Sequence, residues 1–225
     1  MDNQVEVLQH VRQPRPRYAQ SMASTLHLSD SDLEIHRLVV GPMDNNVFIV
    51  RCRHTGEAVL IDAANEHESL LELCTALNVG RVLETHGHWD HIQAVPQLRD
   101  AGYSVSVGTQ DASMLDSYDE VLTHEDRIHV GTTTIEVLHT PGHTPGSMSF
   151  LIVGKPLLFS GDTLFPGGPG ATKFEGGDFP TIIESIERQM FARLPAETMV
   201  MPGHGTDTTI GAESPQLQTW VDRGW

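Results

Sequence analysis

Apolar and polar positions along the chain follow two rhythms, one typical of strands and one typical of helices. Runs rich in β-branched residues, separated by Gly and Pro, predict strands over Glu34–Val40, Asn46–Val50 and Ala58–Ile61. Apolar residues then recur at helical spacing over residues 70–77 and stop at Asn78, a residue type that often caps the C-terminus of a helix. The sequence therefore predicts three strands followed by a helix.

The second half of the chain repeats this mixture. Four further strand-like runs are Tyr103–Val107, Thr133–Leu138, Ser147–Val153 and Pro156–Phe159. Apolar residues from Ile182 to Leu194 then recur with the period of about 3.6 that is typical of a helix. Thr181 and Glu184 precede this run with the spacing of a capping box, so we expect the helix to begin there. Because strands and helices alternate, the fold class is α/β or α+β.

The N-terminal segment differs from the rest of the chain. Residues Met1–Ser31 mix arginine with proline and lack a sustained apolar period, which predicts either a mobile arm or a lead-in strand packed on the domain. Residues 32–225 carry the regular pattern without an internal repeat, a low-complexity tract or an evident linker. We therefore expect a single domain after the arm.

Composition narrows the range of partners. The 30 acidic and 14 basic residues leave a formal net charge of −16, which disfavours nucleic acid and anionic membranes as partners. The chain has no apolar run of about 18 residues and no signal-peptide pattern near Met1, so we expect a cytoplasmic protein that acts on a small molecule. Cys52 and Cys74 lie in apolar segments and are predicted to be buried, reduced thiols. The sequence does not specify the oligomeric state.

One short segment carries most of the chemical information. Residues Thr85–His91 read Thr-His-Gly-His-Trp-Asp-His, which places three histidines and an aspartate close together. Residues two apart in an extended segment project to the same side, so His86 and His88 can bind one cation. Asp90 and His91 follow one turn later and can bind a second cation. The spacing therefore predicts two adjacent metal sites.

Three later segments each set a ligand-type residue among Gly and Pro after an apolar run. They contain His143 in Thr-Pro-Gly-His-Thr-Pro-Gly-Ser, Asp162 in Ser-Gly-Asp-Thr, and His204 in Pro-Gly-His-Gly. A lone residue of this kind is more often a turn histidine or a capping aspartate. Together with the first segment, however, they supply the imidazoles and the bridging carboxylate that two divalent ions require.

The order and spacing of these segments resemble those of the metallo-β-lactamase-fold hydrolases, and within them the glyoxalase II (hydroxyacylglutathione hydrolase) type. The resemblance extends over roughly Leu33 to Gly211. It implies a four-layer αβ/βα sandwich with the site at one edge of the sheets. It also implies how the ligands are shared: His86, His88 and His143 on one ion, Asp90, His91 and His204 on the other, Asp162 bridging both, and Asp62 beneath the site.

The ligand set suggests a hydrolytic reaction. Two divalent ions, with zinc expected and iron or manganese as alternatives, would hold a bridging hydroxide as the nucleophile, so no serine or cysteine nucleophile is needed. A thiolate leaving group, with a pKa near 8.5, needs no dedicated general acid, whereas an amide nitrogen does. The site segments contain no obvious spare acid. We therefore predict a hydrolase of thioesters of a low-molecular-weight thiol, with Asp90 and Asp162 as its catalytic carboxylates.

Two features depart from the glyoxalase II pattern. The chain ends about twenty residues after His204, where the longer enzymes continue into a helical domain that holds glutathione, so a different thiol carrier is expected. After Asp162 a Gly/Pro-rich loop replaces the basic segment that relatives often carry, which leaves Lys173 as a candidate for binding a substrate carboxylate or as a solvated surface lysine. Trp89 either forms a wall of the pocket or packs behind it.

Three alternatives compete with a thioester hydrolase. A persulfide dioxygenase resembles this pattern with one iron, which here would lie on His86, His143 and Asp162, but the arginine-containing segment usual in that class is missing. A lactonase or a nuclease of the same fold is the second alternative, and the net charge disfavours the nuclease. The third is a noncatalytic protein with a structural zinc site. Such sites are often thiolate-rich, and neither cysteine belongs to this cluster.

Overall fold

The first sheet is formed by the alternating segments of the N-terminal half. In the computed structural model, which describes residues 25–224, its strands are β1 (Leu26–Ser29), β2 (Leu33–Val40), β3 (Asn45–Cys52), β4 (Ala58–Ile61), β5 (Val79–Leu83), β6 (Ser104–Gly108) and β7 (Glu120–Leu122). They lie side by side in chain order. Pairing is antiparallel from β1 to β4 and parallel from β4 to β7.

The second sheet is formed by the C-terminal half. Its strands are β8 (Arg127–Val130), β9 (Thr133–His139), β10 (Met148–Ile152), β11 (Leu157–Gly161), β14 (Met199–Pro202) and β15 (Thr208–Thr209). The spatial order is β15-β14-β11-β10-β9-β8, and only β11 and β14 pair in parallel. A small two-stranded sheet of β12 (Leu164–Phe165) and β13 (Gly168–Pro169) follows β11.

Six α-helices connect and cover the sheets in the described part of the chain. They are α1 (His67–Leu77), α2 (Trp89–Ile92), α3 (Val95–Asp100), α4 (Phe179–Ser185), α5 (Ile210–Glu213) and α6 (Leu217–Arg223). A π-helical turn over Ile186–Phe191 extends α4, and 3₁₀ turns occupy Ala112–Met114 and Ser214–Gln216. Helix α1 ends as predicted at Asn78, which adopts the left-handed conformation at φ 58°.

The predicted start of α4 is wrong. The side chain of Asp178 accepts a hydrogen bond from the Thr181 backbone N–H at 2.9 Å, which makes Asp178 the N-cap. Thr181 therefore lies inside the first turn and cannot act as the cap in a box with Glu184. Aspartate is a better N-cap than threonine, and the helix begins directly after Asp178.

Alternation along the strands produces the layers. In β3, Val47 and Ile49 pack in a core that includes Leu70, Cys74 and Leu77 of α1, whereas Phe48 and Val50 pack between the two sheets. The rings of Phe48 and Phe159 meet across that interface with centroids 5.1 Å apart. A third core joins the second sheet to α4 and α6 through Leu158, Ile182 and Trp220. Three cores separate four layers, so the predicted fold class is confirmed.

Several sequence predictions concern the edges and interior of this sandwich. Within the predicted arm, residues 26–29 form the edge strand β1, and residues 1–24 lie outside the described residues. Cys52 and Cys74 are buried free thiols, as predicted. Among the described helices, none is long and apolar enough to cross a bilayer.

Candidate metal centre

The ligand-type residues predicted from the sequence all follow the C-terminal ends of strands. His86 lies in the loop after β5, and that loop leads into α2, which carries Asp90 and His91. On the second sheet, His143, Asp162 and His204 follow β9, β11 and β14. These strand ends meet at one edge of the sandwich. We call the seven converging residues the ligand cluster: His86, His88, Asp90, His91, His143, Asp162 and His204.

The structure brings the ligand cluster together in overlapping groups of three. In each group the potential ligand atoms all lie within 4.8 Å of one another. The groups are His86, His88 and His143; Asp90, His91 and His204; and His86, His91 and Asp162. The first two groups are the same triplets that the family resemblance implies for two separate ions. We call them the first and the second triplet.

Asp162 lies between the two triplets. Its Oδ2 is 3.6 Å from His143 Nε2 in the first triplet and 3.5 Å from His204 Nε2 in the second. Its Oδ1 is 3.5 Å from His91 Nε2. One carboxylate therefore faces both triplets, which is the placement required of a bridging ligand.

Hydrogen bonds fix the orientation of the imidazole rings. Asp62, predicted to lie beneath the site, accepts a hydrogen bond from His91 Nδ1–H at 2.9 Å, and its other oxygen accepts from the Thr85 N–H at 2.7 Å. His143 Nδ1–H donates to the Ala171 carbonyl at 2.7 Å. His204 Nδ1–H donates to the Met43 carbonyl at 2.9 Å. In each ring Nδ1 is committed to an oxygen acceptor, so Nε2 is the atom that faces the cluster and would bind a cation once it carries no proton.

Asp62 itself is held in an unusual backbone conformation. Its φ is 63°, in the left-handed region that non-glycine residues seldom adopt, and its N–H bonds to the Leu83 carbonyl at 3.0 Å. This conformation costs free energy unless the surroundings impose it. Here it turns the chain after β4 so that the Asp62 carboxylate lies below His91. The strain is therefore tied to the orientation of a ligand ring.

The charges in the cluster favour a cation. Burial lowers the pKa of His91, but the carboxylates of Asp162 and Asp62 outweigh burial and raise that pKa to about 10. Burial alone would raise the pKa of Asp90, yet hydrogen bonding with His204 and the nearby His91 hold it well below its ordinary value. The Asp90 carboxylate therefore stays ionised, and the raised pKa of His91 indicates that the centre of the cluster favours positive charge.

Unsatisfied buried atoms indicate what kind of cation fits. His86 Nε2 and Asp162 Oδ1 are buried and have no hydrogen-bond partner among the described residues. A buried nitrogen or oxygen without a partner is costly, so each of these atoms requires a ligand of its own. Burial lowers the pKa of His86 well below its ordinary value, so this ring is neutral and offers a lone pair. Imidazole and carboxylate donors of this kind suit zinc, iron or manganese.

Sequence reasoning missed Asp111, which connects the two loops of the first triplet. This fully buried aspartate accepts hydrogen bonds from Gly87 N–H at 2.9 Å, Gly146 N–H at 2.7 Å and Thr144 Oγ1 at 2.6 Å. Gly87 separates His86 from His88, and residues 144 and 146 follow His143. A Cβ on Gly146 would lie 2.4 Å from the Asp111 backbone nitrogen, so the close approach requires glycine.

Two further polar residues near the cluster were also missed. Asn45 Nδ2 donates to Asp90 Oδ2 at 3.0 Å and so fixes the carboxylate of the second triplet. Glu84 is fully buried and accepts from the Ala63 N–H at 3.1 Å. Burial and the neighbouring Asp62 raise the pKa of Glu84 well above its ordinary value.

Five members of the ligand cluster line the floor of a cavity of about 570 Å³, and His86 and His91 are buried behind them. Five large apolar side chains, which we call the apolar rim, line the same cavity: Met43, Trp89, Met114, Phe165 and Phe174. Trp89 therefore forms part of the wall, one of the two positions expected from the sequence. Lys173 is not among the lining residues, and its ammonium lies over the Phe174 ring, 5.4 Å from the centroid. A role for Lys173 in substrate binding stays a prediction.

Comparisons with known proteins agree with this architecture. Hydroxyacylglutathione hydrolase GloC of Haemophilus influenzae is 34% identical, over 69% of this chain and 84% of its own length. BLEG-1, a B3 metallo-beta-lactamase, superposes with a TM-score of 0.74 at 32% identity, covering 80% of this chain and 96% of its own. TTHA1623, solved in a di-iron-bound form, superposes with a TM-score of 0.70 at 31% identity, covering 79% of this chain and 96% of its own. The family model matches residues 40–204, so the chain belongs to the metallo-beta-lactamase superfamily.

Proposed function

We propose that this protein is a metal-dependent hydrolase of thioesters of a low-molecular-weight thiol. The observation that carries the proposal is the position of Asp162, whose carboxylate faces both triplets at the floor of an open cavity. The similarity to hydroxyacylglutathione hydrolases supports a thioester as the substrate class.

The residues present fit two divalent ions, with zinc as the proposed metal. The first triplet would hold one ion, the second triplet the other, and Asp162 would contact both. Ions bound there would supply a water of lowered pKa and would polarise the acyl oxygen of the substrate. Seven nitrogen and oxygen ligands, together with an open cavity above them, differ from the closed four-ligand arrangement of a structural zinc site.

The carboxylates of the site favour a leaving group that needs no proton donor. Asn45 and His204 hold Asp90 in place, and its lowered pKa keeps it ionised at neutral pH. An ionised carboxylate can accept a proton but cannot donate one to a leaving group. A thiolate leaves without protonation, whereas an amide nitrogen does not. This difference favours thioesters over amides.

The net reaction would consume one water for each thioester. The water oxygen forms the new carbon–oxygen bond at the acyl carbon, and the carbon–sulfur bond breaks with its electron pair on sulfur. Asp162 and Asp90, both at the cavity floor, are the groups placed to accept the proton released from that water. The products are a carboxylate and a free thiol, because the departing thiolate takes up one of the two protons of the water and the other passes to solvent.

Metal content and turnover test the proposal together. Protein purified without added metal is analysed for metal per chain and assayed against a panel of thioesters, a lactone and a β-lactam. Two equivalents of zinc, or of zinc with iron, together with thioester hydrolysis are the expected result. Turnover confined to the lactone or the β-lactam would contradict the thioester assignment.

A second candidate is an iron-dependent dioxygenase that acts on a persulfide. A relative at 31% identity is solved in a di-iron-bound form, so a similar fold can hold iron. The single iron and the persulfide substrate come from the family resemblance. Adding a persulfide and a measurement of oxygen consumption to the same assay decides between the two. One iron per chain, oxygen consumption with a persulfide and no thioester hydrolysis would replace the hydrolase by the dioxygenase.

A further inference from the structure

The cavity combines exposed apolar side chains at its entrance with a lining that, among the described residues, contains no lysine or arginine. Among the described residues, ten large apolar side chains are exposed, and four of them line this cavity: Met43, Trp89, Met114 and Phe174. Exposed apolar side chains that gather around one cavity indicate a binding surface, whereas isolated ones need no explanation. The gathering of these four exposed apolar side chains therefore indicates that the cavity binds an apolar group.

The rim is continuous with the ligand cluster. The rings of Phe174 and His88 have centroids 5.6 Å apart, and the rings of Phe165 and His204 have centroids 6.5 Å apart in a stacked arrangement. One aromatic side chain of the rim thus approaches each triplet. A molecule whose reacting carbonyl lies at the ligand cluster would have its adjoining groups against these side chains.

Charge at the rim disfavours an anionic group. The only charged lining residue outside the ligand cluster is Glu175, and no lysine or arginine of the described chain lines the cavity. The formal net charge of −16 adds a repulsive field at longer range. The nearest ammonium, that of Lys173, lies over the face of the Phe174 ring, 5.4 Å from its centroid. A substrate carboxylate at the rim would lose hydration and would have to draw this ammonium away from the ring.

We infer that the natural substrate is a neutral thioester that places an apolar group against the rim, rather than an anionic thioester such as one of glutathione. This inference rests on the proposed function and specifies its substrate class. An apolar group of the length of a hexanoyl chain would displace water from Met43, Met114 and Phe174. Each methylene that becomes buried should raise kcat/KM about two- to fourfold.

A matched substrate series tests the inference. Acetyl, hexanoyl and adipoyl thioesters of N-acetylcysteamine share one neutral thiol, and the last two differ by a terminal carboxylate on a chain of equal length. We expect kcat/KM for the hexanoyl thioester to exceed that for the acetyl thioester at least about tenfold. We expect the adipoyl thioester to be at least about tenfold worse than the hexanoyl thioester.

Rim variants connect this preference to the structure. Phe174→Ser and Met43→Ser should each lower the hexanoyl-to-acetyl ratio of kcat/KM about threefold or more. Val221→Ser is the matched control, because Val221 is an exposed apolar residue of α6 outside the cavity lining. It should leave the ratio unchanged. Lys173→Ala should leave the hexanoyl-to-adipoyl ratio unchanged.

The possible outcomes separate this inference from the proposed function. The adipoyl thioester or a glutathione thioester could be hydrolysed faster than the hexanoyl thioester, with this advantage lost in Lys173→Ala. That result would overturn the inference of an apolar substrate but would leave the proposed thioester hydrolysis in place. If no thioester is hydrolysed, the proposed function fails. Calorimetry with S-hexyl-N-acetylcysteamine, a thioether that cannot be hydrolysed, then tests the rim alone. If the thioether does not bind, and if the wild-type protein is a dimer that the Phe174→Ser substitution dissociates, the rim is an interface between two copies of the chain. That result would overturn the inference.

Discussion

The ligand cluster and the apolar rim lie in one cavity but are built in opposite ways. His86 is 1% exposed, and the rings of His91, His143 and His204 are each fixed by a hydrogen bond on Nδ1. Trp89, only three residues after His86, is 58% exposed. The cluster is therefore fixed by the packing of the sandwich, whereas the rim can change without disturbing it. Chemistry and specificity occupy separate parts of the same site.

The largest expected effect comes from the cluster itself. Asp162→Asn removes the charge that faces both triplets, and we expect kcat for thioester hydrolysis to fall about a thousandfold or more. Circular dichroism should show an unchanged fold, because the substitution conserves shape. Asp222→Asn, on the exposed side of α6, is the control and should retain full activity. If Asp162→Asn retained the wild-type kcat, the chemistry could not be assigned to the ligand cluster, and the division of roles between cluster and rim would fail.

The next effect tests how the first triplet is held. Asp111→Ala leaves three buried donors without their acceptor, so the free energy of unfolding should fall by about 3 kcal/mol in a urea titration. The loops of His88 and His143 also lose their connection, and Co²⁺ affinity at the first triplet should fall about 10- to 100-fold by absorption titration. Asp116→Ala, an exposed neighbour, should change neither quantity. Unaltered Co²⁺ titration of Asp111→Ala would refute its positioning role.

Removal of the metal with a chelator should lower the free energy of unfolding somewhat less than the Asp111→Ala substitution does. A ligand present at about 100 times its Kd stabilises the folded protein by about 2.7 kcal/mol, so removing it should lower Tm by roughly 5–10 °C for a chain of this length. The measurement is a thermal melt before and after treatment with a chelator, followed by addition of Zn²⁺. An identical Tm in all three samples would show that the cluster binds no stabilising ion.

The smallest effect is expected at the rim. Met43→Ala truncates a side chain that is 52% exposed, and its backbone carbonyl still accepts from His204. The free energy of unfolding should therefore change by no more than about 0.5 kcal/mol. Chemical denaturation provides the measurement. A loss above about 2 kcal/mol would mean that the rim supports the cluster, and the two regions would no longer be separate.

Residues that act through a local pattern could be predicted from the sequence. The spacing of His86, His88, Asp90 and His91 is visible within one segment, and the predicted span of β4, Ala58–Ile61, matches the structure. The six other strands predicted with bounds, β2, β3, β6, β9, β10 and β11, match the structure to within two residues, because each buried face imposes its own period. The short strands β7, β8 and β12 to β15 were not predicted. The assignment of the cluster to particular ions stays a prediction.

Residues that act across the fold could not be predicted in the same way. Asp111 lies 24 residues from Gly87 and 35 from Gly146, and nothing near it in the sequence indicates that three donors will meet its carboxylate. Asn45 is 45 residues from Asp90. The helix-cap error has a different cause, because Thr181 and Glu184 have the spacing of a capping box while Asp178, a better N-cap three residues earlier, begins the helix. The pattern of residues therefore does not predict hydrogen bonds between distant segments, nor which of two nearby residues caps a helix.

The origin of the ligand cluster has a consequence for folding. Four of its side chains follow β5 of the first sheet, and three belong to loops of the second. Neither half of the sandwich alone can form both triplets, so an ion bound there would act as a crosslink between the halves. Such a crosslink penalises any partly folded state in which one sheet has separated, and it favours cooperative unfolding of the whole sandwich. Metal binding would then report the assembly of the two halves as well as enable catalysis.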